Sequence, residues 1–138
     1  MTYDELGDGI YLLRRRSVGV LIEHEAILVV GEPCRQLWPD GPRTRIVHQT
    51  PPRLRTDSPE EFGDCLLLGR VDDQVGAIAR IRYAHTRPDY DPLFRNCEHF
   101  ARFVVNGQPV SPQLWIAGVA IGAAWLVAKM TASARKAA

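Results

Sequence analysis

Cys97 is the residue best placed by its neighbours to do chemistry. It follows Asn96, a favoured helix cap, and opens a run, Cys97 to about Val105, that stops at Asn106-Gly107. A thiol attacks a carbonyl as the thiolate, and a free cysteine has a pKa of about 8.5. A helix N-terminus and a neighbouring imidazolium both lower that value. The N–H groups of a first helical turn also point where an oxyanion forms during acyl transfer. The imidazole must come from elsewhere in the fold, often with a third polar group to orient it. His24 and His48 each sit at the end of an apolar run, while His99 lies two residues from Cys97 and so about 200° around a helix from it.

The elements needed to position these groups can be read from the patterning. Ile10, Leu12 and Leu13 open a first strand. The runs from Val18 to His24 and from Ala26 to Gly31 are rich in β-branched residues and read as extended structure. Residues 32–44 hold three prolines and read as a loop. Arg45 to His48 reads as a returning strand, which Pro51 and Pro52 end. Ser58, Pro59 and Glu61 form a capping-box pattern for a short helix before Gly63. The spacing of Val75, Ile78, Ala79 and Arg82 predicts a helix over Asp72–Tyr83, followed by a turn at 87–92.

At 138 residues and 46% hydrophobic content the chain can bury a core without staples. A net charge of +1 gives no electrostatic bias toward nucleic acid. The basic runs Arg14–Arg16 and Arg53/Arg55 read as solvated surface. Three cysteines without a CxxC spacing argue against a disulfide framework or a zinc ribbon, so no metal is expected and a reducing, cytoplasmic setting follows. The first residues have no basic segment leading into an apolar one, unlike a secretory signal. Cys34 and Cys65 read as structural, His85 as a surface-loop residue and Trp38 as loop packing.

The segment NCEHFA, Asn96 to Ala101, resembles the nucleophile motif of the lecithin:retinol acyltransferase-like family, which includes the HRAS-like phospholipase A/acyltransferases. Tyr90 to Arg95 is similar to that family's approach to the motif. LGDGIYLL resembles its opening strand, HEAILVVGE its histidine-led strand and VHQTPP its second-histidine segment. The resemblance implies Cys97 as nucleophile, His24 as general base and His48 as the residue that orients His24. It implies an α+β fold, a circularly permuted papain-like domain over residues 1–110, with an antiparallel sheet packed on the helix that carries Cys97. The histidines precede the cysteine here, as such a permutation requires. Two features depart from the pattern: 24 residues separate His24 from His48, and Glu25 stands where an aromatic is common. A carboxylate there would perturb either the base or the acyl pocket.

Residues 111–138 form a second region. Leu114 to Ala128 is 15 residues without a charge, followed by Lys129, Arg135 and Lys136. A bilayer span needs about 20 apolar residues, so the stretch is short for one unless its flanks contribute. It is expected to be an apolar C-terminal helix that anchors the domain on a membrane, the alternative being a helix that covers the core. The function that the resemblance implies is transfer or hydrolysis of an acyl group from a glycerophospholipid through a Cys97 thioester, with no cofactor; no nucleic-acid partner is expected. Two alternatives have different chemistry: a cysteine amidase acting on peptidoglycan or an isopeptide, and a membrane-tethered interaction module without activity.

Overall fold

The computed structural model describes residues 3–16, 23–91, 95–108 and 112–137. Five strands, β1 (Gly9–Arg16), β2 (Glu23–Val30), β3 (Thr44–Thr50), β4 (Arg53–Asp57) and β5 (Leu66–Arg70), form one sheet in the order β4-β3-β2-β1-β5. Every neighbouring pair is antiparallel. The helices are α1 (Glu32–Leu37), α2 (Pro59–Phe62), α3 (Gln74–His85), α4 (Cys97–Asn106) and α5 (Pro112–Ala137). The architecture is α+β, with an antiparallel sheet and helices.

Both faces of the sheet are covered. Ile10, Ile27, Val29 and Val47 face a core completed by Ala77, Ile78 and Ile81 of α3 and by Phe100, Ala101 and Val104 of α4. The alternate residues Tyr11, Leu13, Ala26, Leu28, Val30 and Ile46 face a second core closed by Phe62 of α2. Because strand side chains alternate with a period of two, each residue's register decides which core it enters. Full burial of an Ile or Leu contributes about 1.5–3 kcal/mol, so two covered faces hold the register strongly.

Several local expectations meet the structure directly. Ser58 and Glu61 form the reciprocal capping box of α2, at 3.2 and 2.8 Å. Asn96 caps α4 by accepting from the backbone N–H of His99, and α4 ends at Gly107 with φ 71°. The helix expected from Asp72 begins at Gln74 instead, because Asp73 is its cap and accepts from the Gly76 N–H at 2.8 Å.

Other expectations are corrected. Among the described residues β2 runs without a break from Glu23 to Val30, so His24 and the run 26–30 share one strand. Glu25 lies within this strand, and Arg14 on β1 meets its carboxylate at 3.0 Å. The proline-rich segment 32–44 is not all loop. Pro33 occupies the first turn of α1, where a missing N–H costs nothing. β4 and β5 carry no clear apolar alternation and were not anticipated. The expected strand residues 18–22, Pro92–Phe94 in the approach to Cys97, and the side chain of Trp115 lie outside the described residues.

From Val119 to Ala132 the side chains of α5 are exposed, so this stretch does not cover the core. They include Val119, Ile121, Trp125, Leu126, Val127 and Met130. No helix among the described residues is long and apolar enough to cross a membrane.

The β2–α1 junction turns on Gly31, with φ 69°. Asp8 closes over it, accepting from the Glu32 N–H at 3.0 Å and pairing with Arg43 at 2.8 Å. A Cβ at Gly31 would lie 1.8 Å from Asp8 Oδ1, whereas one at Gly7 would meet nothing within 4 Å. Gly31→Ala should therefore lower stability by about 2 kcal/mol, read as a lower urea midpoint at unchanged slope. Gly7→Ala should leave the midpoint nearly unmoved; equal effects from the two would show that the junction carries no such constraint.

Candidate functional site

β2 and β3 bring His24 and His48 together. Their residue numbers are both even, and they lie on the Phe62 face beside Ala26, Leu28 and Ile46. The His24 ring lies 5.9 Å from that of Phe62 and the His48 ring 5.0 Å, centroid to centroid. His24 Nε2 and His48 Nδ1 are 2.8 Å apart, and His48 Nε2 is 2.9 Å from Asp57 Oδ2. Arg55 reaches the other carboxylate oxygen of Asp57 at 3.1 Å.

These contacts set the direction of the chain of hydrogen bonds. A carboxylate accepts, so His48 donates from Nε2 to Asp57. Neutral His48 then accepts at Nδ1, and His24 donates from Nε2. The basic nitrogen at the open end of the relay is His24 Nδ1, which has no hydrogen-bond partner among the described residues. Burial, then the neighbouring His48 and Arg15, hold His24 at a pKa of about 4. Burial also lowers His48, against the opposing pull of Asp57. Both imidazoles are therefore neutral at pH 7.

Asp57 was not foreseen. Pro51 and Pro52 read as the end of a strand, yet they form the tight turn of a β3–β4 hairpin that pairs His48 with Arg55 and Ile46 with Asp57. Treated as a hairpin turn, the same dipeptide would have placed residue 57 diagonally beside His48.

Cys97 is the first residue of α4, which packs on β2 and β3 over the other core. The β2 side chain on that face is Glu25. Burial raises the Cys97 thiol above its ordinary value, and the Glu25 carboxylate adds to this. The backbone amides of Glu25, Glu98 and Cys97 itself act in the opposite direction. Backbone dipoles therefore favour an anion at that position, while burial and Glu25 oppose it. No hydrogen bond joins Cys97 to His24 among the described residues. The two belong to opposite faces of β2, one residue of register apart.

The chain matches no family model, no curated protein and no solved structure. The remaining candidates have local roles. Cys34 is buried and its thiol donates to the Pro42 carbonyl at 3.2 Å. Cys65 lies 2.8 Å from the Tyr3 hydroxyl. His85 ends α3, with Nδ1 2.9 Å from the Ile81 carbonyl, and its ring stands edge-on to Trp38. His99 is buried and bonded to Asn96. Among the described residues no group of three His, Cys, Asp or Glu side chains converges as a metal site.

The depressed His24 pKa has a consequence for folding. Between about 6.5 and about 4 the unfolded chain binds a proton that folded His24 refuses, so stability falls as pH falls through that window. His48 acts in the same direction. His24→Gln should flatten the decline of the urea midpoint between pH 7 and pH 4.5. An unchanged pH dependence in that variant would mean that His24 titrates normally in the folded chain.

Proposed function

We propose that the chain is a thiol-dependent acyl enzyme that takes an acyl group from a glycerophospholipid onto Cys97. Residues 1–110 would form the permuted papain-like catalytic domain and residues 111–138 an apolar helix that holds it on the cytoplasmic side of a membrane. The observation that carries this reading is the position of Cys97: first in an Asn96-capped helix, against the sheet that holds the two histidines. The His24–His48–Asp57 relay adds a neutral base with one open nitrogen. The exposed apolar side chains of α5 add a surface suited to lipid.

In the proposed cycle, Cys97 Sγ attacks the ester carbonyl while its proton passes to His24 Nδ1. The tetrahedral oxyanion is met by the N–H groups at the start of α4. The C–O bond to glycerol then breaks, the leaving alkoxide takes the proton, and a lysolipid departs. Water completes hydrolysis of the thioester; an alcohol or amine acceptor completes transfer. Both partners are held neutral at rest, one thiol raised and one imidazole lowered, so attack and proton transfer are concerted rather than preceded by an ion pair. The cycle requires an arrangement in which His24 Nδ1 meets Cys97 Sγ, and the resting structure holds them on opposite faces of β2.

That separation favours a second reading, an interaction module without turnover, in which Glu25 rather than an imidazole is the permanent neighbour of Cys97. The two readings diverge on one experiment. Purified protein with phosphatidylcholine vesicles at pH 7 should release lysolipid and gain one acyl mass, located on Cys97. Cys97→Ser should abolish both. His24→Ala should slow release by roughly 10²–10⁴-fold, while Cys34→Ser and Cys65→Ser keep their rates. Absence of lysolipid and of any mass gain in the unmodified chain would leave the interaction module.

A further inference from the structure

A second site lies on the other flank of α4. A cleft of about 450 Å³ opens between α3 and α4, and its lining includes Tyr83, Arg87, Arg95, His99, Phe100 and Phe103. That volume falls in the range of small-ligand sites. Its chemistry is divided. Tyr83 and Phe103, with ring centroids 5.9 Å apart, and Phe100 supply an aromatic wall. Arg87 and Arg95 supply two cations, and neither is held in an ion pair among the described residues.

His99 is the third element. It is only 4% exposed, and Asn96 Oδ1 accepts from both its backbone N–H, at 3.0 Å, and its ring Nδ1, at 2.8 Å. An oxygen that accepts two bonds from one residue fixes the tautomer: Nδ1 carries the proton, and Nε2 presents a lone pair. Nε2 has no hydrogen-bond partner among the described residues. Burial, the leading influence on this ring, keeps it neutral at pH 7. Asp91 and Glu98 lie near enough to influence His99, but neither lines the cleft.

An occupant must therefore bring an apolar chain to the aromatic wall, acceptor oxygens to the arginines and a hydrogen-bond donor to His99 Nε2. A carboxylate or a sulfate ester has only acceptors when ionised. A phosphate monoester in its monoanionic form has both, because one P–OH remains beside the charged oxygens. We infer that this cleft binds a single-chain amphiphile that ends in a phosphate monoester, with its chain against Tyr83, Phe100 and Phe103 and its head between Arg87, Arg95 and His99. The inference is independent of any reaction at Cys97, which lies about 200° around α4 from His99.

Decyl phosphate and decyl sulfate share a chain and an anionic head but differ in the P–OH, so they separate this site from general detergent binding. The second phosphate pKa is about 6, which keeps roughly half of the alkyl phosphate in the P–OH form at pH 6. Calorimetric titration of the full chain at pH 6, below micelle formation, should give one site that favours decyl phosphate over decyl sulfate at least tenfold. Inorganic phosphate alone should bind far more weakly. In Arg87→Gln/Arg95→Gln, both changes being at solvent-facing side chains, decyl phosphate affinity should fall at least tenfold. Long-range ¹H–¹⁵N spectra should show the His99 Nε2 resonance shifting with decyl phosphate and not with decyl sulfate. Equal affinity for the two amphiphiles, undiminished binding in the double variant, or an unmoved His99 signal with a change confined to Trp125 of α5 would each overturn the assignment.

Discussion

A β-strand sends successive side chains to opposite faces, and β2 is buried on both. This constraint governs the molecule more than any single contact. Ala26, Leu28 and Val30 are committed to Phe62, and Ile27 and Val29 to α3 and α4. The same alternation commits His24 to one side and Glu25 to the other. Moving either across the sheet by a one-residue slip would expel a row of buried aliphatic residues, at about 1.5–3 kcal/mol for each. A local change at the first residues of β2, where pairing with β3 has already ended at Ile27, costs far less. Any approach of His24 to Cys97 has to begin there.

The two halves of the candidate chemistry differ in how they are held. The relay is tied by hydrogen bonds between neighbouring strands and ends on Asp57, which is itself fixed by Arg55. Cys97 is tied by the cap of a helix whose other face fills the core. Each is a rigid element, so both arrangements are well determined, and what separates them is one pleat of the sheet. Arg14 reinforces that separation. It meets both Glu23 and Glu25 at 3.0 Å and fastens the start of β2 to β1 with the carboxylates on the α4 side.

Sequence patterning reached the parts of the fold that depend on neighbours close in the chain. The caps at Ser58 and Asn96, the stop at Gly107 and the body of α3 all involve partners within a turn, and all were legible. β4 and β5 were not, because their membership in the sheet depends on partners in β3 and β1 rather than on their own alternation. α1 was hidden by prolines that signal a loop but also suit a first helical turn. Within the site, patterning placed His24 and His48 on strands, while their pairing was an expectation from the resemblance alone. Asp57 required knowing that Pro51-Pro52 turns a hairpin. The face on which each residue would fall required the register, which is set by both cores at once and cannot be read from either histidine's own neighbours.

Exposure along α5 divides the chain into parts that need not unfold together. The stretch from Val119 to Ala132, with its side chains in water, draws little from the tertiary packing that supplies most helical stability in proteins. The amides of this segment would therefore exchange with solvent at rates set by local helix–coil opening. Those of β2 and α4 would exchange at rates set by the cooperative loss of the two cores. Contact with an apolar surface would couple the C-terminal segment to its surroundings and slow its exchange, while leaving the sheet unchanged. The protein thus carries two cooperative units on one chain: one determined by its own register, the other by whatever it lies against.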